Sequence, residues 1–424
     1  MDKYNSNPLN IKHLSLILTA NCNLACRYCY QNYRRDMRMS WKTAKEAIKT
    51  ALGTDSRVLE ISFMGGEPLL EFELIGKAVR YIRKYAPEDK RIKLSISTNG
   101  TLMDGGKIDF LAENRFDTQL SFDGVAGAQD HRAPGSFRVL DALLDRLRND
   151  YRPFFRHHLS IAYTLAPSAI EYLSGSIRYF INKGIPKITV YPVINHQPGW
   201  KEEMACRLES QLAEIYRMCL EHYHSRGKVP VTIFRGKYPE SLCVEPEEGA
   251  ATCGAPYPHS IAVDTDGEVY GCTVFARSYQ EFANPFLALC SEHLRMGRIG
   301  TPRFLTSLSH FPGRALSLGI FDEKSNKYSP SGSCSRCRYL SDCNICPASI
   351  PHIPGNRDPR KVPSFPCAWN RTAMKYRERF PAVPDPRAKI EGPPGVEDDI
   401  KFWRKLAGKT GHPERGECRR QKPE

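Results

Sequence analysis

The stretch on which the fold depends reads Leu14-Ser15-Leu16-Ile17-Leu18-Thr19-Ala20-Asn21-Cys22-Asn23-Leu24-Ala25-Cys26-Arg27-Tyr28-Cys29. An apolar run typical of a buried strand leads directly into a loop with three cysteines, separated by three residues and then by two. Cysteine thiolates are the usual ligands of iron–sulfur clusters, and four of them normally complete a four-iron cluster. Because this loop offers three, one iron would lack a protein ligand and would be open to a small molecule.

Helical and strand-like patterns alternate outward from this stretch. The expected strands are Leu14–Leu18, Val58–Phe63, Ile92–Ser97, Thr118–Phe122, 159–165 and Ile188–Val193. The expected helices are 41–52 (capped by Ser40), 72–85, 105–114, 136–149, 169–183 (ending at Gly184) and 201–225. Such alternation favours an α/β fold with a parallel sheet. Six strand–helix units are two short of a closed eight-stranded barrel, so the sequence predicts a partial (β/α)6 TIM-like barrel.

Polar and glycine-rich segments follow the first four strands. They are the cysteine loop, Gly65-Gly66-Glu67-Pro68, Ser97-Thr98-Asn99-Gly100 and Ser121-Phe122-Asp123-Gly124. Chemistry in parallel α/β folds lies at the carboxyl ends of the strands, so these segments predict the site. Tyr191, His196 and Asp123 are candidates for a catalytic acid or base, but such residues are more often structural, and the sequence singles out none.

The character of the chain changes near residue 236. From there to about 385, prolines, glycines and cysteines dominate, which is typical of a small core held by metal. The cysteines considered as ligands are Cys243, Cys253, Cys272, Cys334, Cys337, Cys343, Cys346 and Cys367, whereas Cys290 is left unassigned. Asp266-Gly267 predicts a hairpin turn that would bring Cys253 and Cys272 together. Cys-x2-Cys pairs also serve zinc, so two zinc sites are the alternative.

The sequence thus predicts a barrel over residues 1–235, a metal-binding domain over 236–385 and a charged tail over 386–424. Cys206 and Cys219 fall in the last helical pattern, where they are expected in the core. The absence of a signal peptide and of an apolar run of about 18 residues predicts a cytoplasmic protein without a membrane span.

The chain has 424 residues and fifteen cysteines, a number that suggests metal or catalysis rather than disulfides in a cytoplasmic protein. Its 61 basic residues exceed the 47 acidic ones, giving a net charge of +14. Because the basic residues are scattered, a nucleic-acid partner is disfavoured. Negatively charged clusters or an acidic peptide substrate also explain the excess.

Cys22-x3-Cys26-x2-Cys29, Tyr28 and the glycine-rich turn closely resemble the radical S-adenosylmethionine (SAM) superfamily over about residues 10–225. The resemblance implies that the three cysteines hold a four-iron four-sulfur cluster and that SAM chelates its open iron. Reduction by an external donor such as flavodoxin or ferredoxin would release a 5′-deoxyadenosyl radical, which abstracts a hydrogen from the substrate. The protein would orient this chemistry and exclude water from it.

The same resemblance assigns further residues to SAM. Tyr28 would lie against the adenine, Gly65, Gly66 and Glu67 would bind the amino group, Ser121 and Arg132 would hold the carboxylate, and Asn99 would reach the ribose. Ordinary structural roles remain as alternatives: a tight turn with a surface glutamate, a strand-end serine, a solvated arginine and an Asn-Gly turn.

The second cysteine set closely resembles the SPASM domain, which binds two further four-iron four-sulfur clusters. The resemblance implies that one cluster is held by Cys334, Cys337, Cys343 and Cys367. The other would be held by Cys253, Cys272 and Cys346, with Cys243 as a candidate fourth ligand. The spacing departs from the family before Cys346, where Asn344 and Ile345 stand in place of the usual three residues.

Radical SAM enzymes of this type mostly modify peptides or proteins, by thioether, carbon–carbon or ether cross-links or by oxidising a sulfatase Cys or Ser to formylglycine. Thr273 occupies the position of a catalytic aspartate in sulfatase maturases. The hypothesis is therefore a cross-linking peptide or protein maturase, with formylglycine formation as its competitor. An iron–sulfur electron-transfer or nucleic-acid-binding protein without SAM chemistry is the third alternative. Since the first strand begins near residue 12, no leader-binding domain is expected before it, and a separate protein or the barrel's basic surface would recognise a leader.

Metal analysis tests the cluster assignment. After anaerobic reconstitution with iron and sulfide, we expect about twelve irons per chain, because three clusters each hold four. Zinc without acid-labile sulfide would contradict the assignment of the second cysteine set.

Overall fold

The computed structural model describes residues 10–31, 36–195, 199–235, 253–280 and 284–381. Six parallel strands follow one another through its first half, as the sequence predicts. The strands are β1 (His13–Ile17), β2 (Val58–Met64), β3 (Arg91–Thr98), β4 (Asp117–Ser121), β5 (Leu159–Leu165) and β6 (Ile188–Pro192). The helices of this half are α1 (Trp41–Leu52), α2 (Phe72–Tyr85), α3 (Gly105–Glu113), α4 (Ala126–Arg132), α5 (Phe137–Asp150), α6 (Arg152–His157), α7 (Leu173–Lys183) and α8 (Ala205–Arg226).

Strand register separates an apolar face of the sheet from a polar one. Leu14 lies opposite Ile61, which lies opposite Leu94, and all three are buried. Successive side chains of a strand point to opposite faces, so the serines one position further along form the other face. There the hydroxyls of Ser62 and Ser95 are 2.6 Å apart. The helices cover the apolar face, and the other face offers hydroxyl groups.

Helix boundaries follow local chemistry. Ser40 caps α1, because its hydroxyl accepts the Thr43 N–H at 3.1 Å, and the buried residues of α1 recur at helical spacing. Gly184 ends α7 with a φ of +81°, a left-handed conformation that glycine adopts without strain. Cys219 lies in the core as expected, but the prediction for Cys206 is wrong. It lies exposed in the first turn of α8.

Two short helices, α4 and α6, are absent from the sequence prediction. They have seven and six residues, too few for an apolar period to stand out. The start of the predicted helix 169–183 also differs. Pro167–Tyr172 forms a 3₁₀ turn, and the α-helical hydrogen bonding begins only at Leu173. The prediction of six strand–helix units is nevertheless confirmed, because the six strands keep their predicted order.

The sheet continues beyond the six predicted strands. Its added members are β7 (Ser260–Val263), β8 (Glu268–Tyr270) and β9 (Arg295–Arg298), giving the order β6-β5-β4-β3-β2-β1-β7-β8-β9. β7 runs parallel to β1, with Ser260 opposite His13, and β8 returns antiparallel through the predicted Asp266-Gly267 turn. β6 and β9 remain at the two ends of the sheet, so the barrel is open, in agreement with a partial barrel.

The rest of the C-terminal half packs back on this framework. It contains α9 (Pro285–His293), α10 (Pro302–Ser307), α11 (Phe311–Leu316), β10 (Tyr328–Ser329), β11 (Gly332–Ser333) and α12 (Ser364–Arg377). Tyr216 of α8 contacts Tyr376 of α12 with ring centroids 5.7 Å apart. None of the helices in the described ranges has both the length and the apolar composition needed to cross a membrane.

The aromatic packing between the sheet and α7 generates a stability prediction. Phe180 is fully buried, and its ring meets Phe122 edge to face at 5.3 Å. Phe180→Ala should lower the free energy of unfolding by about 3–5 kcal/mol, because it leaves a cavity. Denaturant titration followed by circular dichroism measures the loss.

Val139 supplies the control, because half of its surface is exposed. Val139→Ala should change the free energy of unfolding by less than about 0.5 kcal/mol. Equal losses for the two variants would contradict the assignment of Phe180 to the core.

Candidate functional site

Three half-buried thiols lie in the loop that follows β1. They belong to Cys22, Cys26 and Cys29. Burial raises the pKa of Cys26 to about 11, the Arg132 guanidinium opposes this shift, and the thiols of Cys29 and Cys22 add to it. Such mutual influence requires the three sulfur atoms to be near one another. The three thiols therefore lie within electrostatic range of one another, and their role as cluster ligands stays a prediction.

Gly65 and Gly66, after β2, pack against the backbone of the cysteine loop. A Cβ on Gly66 would lie 2.1 Å from the Asn21 carbonyl oxygen, and one on Gly65 would lie 2.7 Å from that of Thr19. The amides of Gly66 and Glu67 donate to these two oxygens, each at 2.8 Å. The loop is therefore fixed by a contact that a side chain at either glycine would prevent.

Glu67 connects the turn after β2 to the turn after β3. Its side chain is 1% exposed, and its carboxylate accepts the Thr98 hydroxyl at 2.7 Å and the Asn99 amide at 2.8 Å. Burial raises the pKa of Glu67, and these hydrogen bonds oppose the rise. The glutamate is thus a buried brace, and the alternative of a surface glutamate is wrong.

Asn99 in turn contacts the cysteine loop. Its Nδ2 donates to Asn23 Oδ1 at 2.9 Å and approaches Cys22 Sγ at 3.8 Å. The Asn23 Nδ2 donates to Thr101 at 2.8 Å. The loops after β1, β2 and β3 are therefore joined by side chains, and an Asn-Gly turn alone does not describe this asparagine. Contact of Asn99 with a ribose stays a prediction.

A buried group links the cysteine loop to the loop after β4, to α4 and to β5. Arg132 donates to both oxygens of Asp123, at 2.9 and 3.2 Å, and the Tyr28 hydroxyl donates to the same carboxylate. The backbone amide of Thr164 also donates to Asp123, at 2.9 Å. The guanidinium lies 5.4 Å from the centre of the Tyr28 ring. Arg132 is thus not a solvated cation, because its charge is paired inside the protein.

Burial and neighbouring charges act on Tyr28 and Arg132. Burial raises the pKa of the Tyr28 phenol, Arg132 opposes the rise, and the nearby Asp123 carboxylate adds to it. Burial lowers the pKa of Arg132, but Asp123, Tyr28 and Cys26 together outweigh burial, and the pKa is raised. Tyr28 is therefore a neutral phenol beside the ion pair of Arg132 and Asp123.

Ser121 and Tyr191 lie on the polar face of the sheet. Ser121 is half-buried, two residues before Asp123. Tyr191 is half-buried on β6, where its hydroxyl accepts from Gln119 at 3.3 Å. His196 lies outside the described residues. Of the three candidates for a catalytic acid or base, Asp123 is the ion-pair partner of Arg132. Burial raises the pKa of Tyr191, and Gln119, its hydrogen-bond partner in the described part of the chain, is neutral.

Four cysteines of the C-terminal half come together. Burial raises the pKa of Cys334 to about 11, and Cys367, Cys343 and Cys337 add to the rise in that order. These are the four residues that the interleaved pattern groups. No set of three or more His, Cys, Asp or Glu side chains, within the ranges described, has the arrangement of a site for a single metal ion. The grouping places four sulfur ligands in one neighbourhood.

Cys272 and Cys346 form another neighbourhood. Burial raises the pKa of Cys272 to about 12, and Cys346 adds to the rise. The segment that contains Cys253 passes close to the segment that contains Cys272. A Cβ on Gly271 would lie 1.9 Å from the carbonyl oxygen of Ala255. Cys243, the candidate fourth ligand, lies outside the described residues.

Tyr30 lies between the cysteine loop after β1 and the group of Cys272 and Cys346, and sequence reasoning missed it. Its pKa is raised by burial, then by Cys29, and also by Cys272 and Cys346. Its ring meets Tyr279 edge to face at 6.0 Å. The position of Tyr30 directly after the third cysteine was the available signal. A second contact that sequence reasoning missed comes from Asn195, whose Nδ2 donates to the Cys29 carbonyl oxygen at 3.2 Å.

Comparison with known proteins places the chain among radical-forming enzymes. Residues 16–152 match the family model described as the radical SAM superfamily. A cysteine-type anaerobic sulfatase-maturating enzyme of Clostridium perfringens is 34% identical over 287 residues, which cover 62% of this chain and 75% of the relative. An uncharacterized protein of Methanocaldococcus jannaschii is 34% identical over 185 residues. This match covers 42% of the chain and spans only 62% of the methanogen protein.

A solved structure shares the fold over most of the chain. It is anSMEcpe with bound AdoMet, which has a TM-score of 0.66 and 19% sequence identity to the chain. The match covers 86% of this chain and 96% of that protein. The common fold therefore extends beyond the six barrel strands into the C-terminal half.

The buried pair of Asp123 and Arg132 generates a prediction. Their side chains are 2% and 8% exposed. Asp123→Asn should lower the free energy of unfolding by about 3–5 kcal/mol, because it leaves the Arg132 charge buried without a counterion. Denaturant titration of the purified variant measures the loss.

The exposed pair of Arg178 and Glu214 is the matched control, since its side chains are 55% and 32% exposed. Glu214→Gln should cost less than about 1 kcal/mol. A loss below 1 kcal/mol for Asp123→Asn would contradict the role of the buried pair.

Proposed function

The chain belongs to the radical SAM superfamily, and from this we propose that it is an enzyme that modifies a peptide or protein by abstracting a hydrogen atom. One observation carries the proposal. Three half-buried thiols meet a buried tyrosine and arginine at the carboxyl edge of an open parallel sheet. In folds of this kind the chemistry takes place at that edge.

The cofactors are SAM and four-iron four-sulfur clusters. When bound, they supply a carbon radical strong enough to break an unactivated C–H bond, which side chains cannot do by acid–base chemistry. The donor set fits, because cysteine thiolates are the ligands of such clusters and the described residues gather three thiols in one loop. We assign Cys22, Cys26 and Cys29 as the ligands of the first cluster.

The residues around the loop are assigned to SAM. Tyr28 is assigned to the adenine, because an aromatic ring in the cysteine loop can stack on a base, and Arg132 beside it holds the ring in place. Gly65 and Gly66 keep the backbone close to the loop, and Glu67 and Asn99 fix the neighbouring turns. We keep Ser121 and Arg132 as the carboxylate pair, with Arg132 shared between Asp123 and the cofactor.

The C-terminal half is assigned to two auxiliary clusters. Cys334, Cys337, Cys343 and Cys367 are proposed to hold one of them, and their electrostatic coupling supports this grouping. Cys253, Cys272 and Cys346 are proposed to hold the other, with Cys243 as its fourth ligand. The assignment divides the chain into a radical-forming part, 1–235, and a cluster-rich part, 236–385, joined by the sheet through β1 and β7.

The substrate is proposed to be a peptide or protein that the enzyme cross-links. The relatives include a sulfatase-maturating enzyme, and therefore formylglycine formation is the second candidate. Thr273, which offers no carboxylate beside Cys272, counts against it. The nearest buried acid in the sequence, Asp264, already accepts the Ser278 and Thr265 amides at 2.9 and 2.7 Å. A flavodoxin or ferredoxin is proposed as the electron donor, and a separate protein as the reader of any leader.

The proposal is tested by the cleavage of SAM. The reconstituted full chain, reduced under anaerobic conditions with SAM present, should form 5′-deoxyadenosine. Cys26→Ala should abolish this product, because it removes a cluster ligand. Cys206→Ala makes the same change at an exposed site in the first turn of α8 and should leave the rate unchanged. Intact clusters without 5′-deoxyadenosine would overturn the enzyme assignment.

Mass spectrometry with a carbonyl-specific hydrazide separates the two candidate reactions. A cross-link and a formylglycine made from serine both remove two hydrogens from the substrate, but only the aldehyde reacts with hydrazide. A hydrazide adduct on a sulfatase peptide would favour the second candidate.

A further inference from the structure

A cavity of about 350 Å³ lies beside the carboxyl ends of β5 and β6. Its volume falls in the lower range of small-molecule pockets. The walls are largely apolar, with Val193 and Ile194 after β6 on one side and Ile353 and Phe365 from the C-terminal half on the other. Trp200 also lines it, and its ring lies 5.2 Å from that of Phe365. The cavity can therefore hold an apolar side chain but not a folded domain.

Residues that line the cavity contact or directly precede a member of each of three cysteine groups. The groups are Cys22, Cys26 and Cys29; Cys253, Cys272 and Cys346; and Cys334, Cys337, Cys343 and Cys367. Asn195 donates to the Cys29 carbonyl oxygen at 3.2 Å. Ser349 donates to the Cys346 carbonyl oxygen through its amide at 3.0 Å and also through its hydroxyl. Pro366 directly precedes Cys367. An occupant of this space would thus lie next to the first cysteine loop and next to both auxiliary groups.

Asn195 also gives the cavity a polar preference. Its Oδ1 is buried and has no hydrogen-bond partner among the described residues. A buried acceptor without a donor carries a desolvation cost that an arriving N–H group removes. A peptide supplies such a donor from its backbone at every residue except proline. The combination of apolar walls and one orphan acceptor therefore matches a residue within a peptide chain.

We infer that this cavity binds an apolar side chain of the substrate peptide, while Asn195 Oδ1 accepts a backbone N–H of the same residue. The inference rests on the proposed function, because it takes a peptide as the substrate. It goes further by naming a specificity pocket: an aliphatic or aromatic residue is held beside Cys29, and acidic side chains are excluded by the apolar walls.

Binding of capped amino acids tests the pocket without any turnover. The reconstituted full chain, without SAM or reductant, is titrated with N-acetyl amides of alanine, valine, leucine and aspartate, and Trp200 fluorescence is followed. Affinity should rise roughly fourfold for each added methylene that enters the cavity. The aspartate amide should bind about tenfold or more weakly than the leucine amide, because a carboxylate loses its hydration in an apolar space.

Variants locate the binding. Ile353→Phe fills the cavity and should weaken the leucine amide about tenfold or more, whereas Ile353→Val leaves the space open and should change its affinity less than threefold. Asn195→Ala should weaken it about fivefold through the lost hydrogen bond. Trp200→Phe should remove the fluorescence change while calorimetry still detects binding.

The outcomes separate the pocket from the enzyme assignment. Equal affinities for all four amides, an unchanged affinity in Ile353→Phe with an unaltered circular dichroism spectrum, or a fluorescence change that persists in Trp200→Phe would each overturn the pocket. A graded series with no 5′-deoxyadenosine formation would support the pocket and overturn the proposed function. The reverse result would retain the enzyme and remove the pocket.

Discussion

The carboxylate of Asp123 is the contact point of three separate segments. It accepts hydrogen bonds from Tyr28 in the cysteine loop, from Arg132 in α4 and from the backbone of Thr164 in β5, while the Asp123 amide donates to Gln129, also in α4. A displaced Asp123 would free the tyrosine that separates Cys26 from Cys29. The geometry of the whole edge therefore depends on one buried charge that is satisfied on all sides.

Glu67 likewise joins two segments, the turns after β2 and β3, but it does so through hydrogen bonds rather than through an ion pair. Asp123 neutralises a cation, whereas the donors to Glu67 from the residues that the structure describes are neutral groups of Leu69, Thr98 and Asn99. Buried ion pairs add little net stability because desolvation offsets their attraction, although removal of one partner is costly. Such groups are better suited to fix one arrangement than to strengthen the fold. The stability of this chain comes from the apolar layer between sheet and helices.

Much of the framework could be predicted from the sequence, because its signals are local. The period of Ala44, Ala47 and Ile48 predicts α1, and an apolar run predicts the strand that leads into the cysteine loop. The contacts that decide the site are not local. Tyr28 meets Asp123 across 95 positions of the chain, and Asn195 meets Cys29 across 166. No pattern in one sequence records such pairs, so Asp123 was only one of three candidates for a catalytic acid or base, and Asn195 carried no signal.

The pairing of β7 with β1 has a consequence for the order in which the chain matures. His13 and Ser260 are neighbours in the sheet although nearly the whole barrel separates them in the chain. Contacts of such long range form late, because the entropy of closing the intervening loop must be overcome first. During synthesis, one edge of β1 therefore stays uncovered until residue 263 has left the ribosome. The cysteine loop follows that strand directly, so the strand that carries the loop gains its last neighbour in the sheet only after the whole barrel has been made.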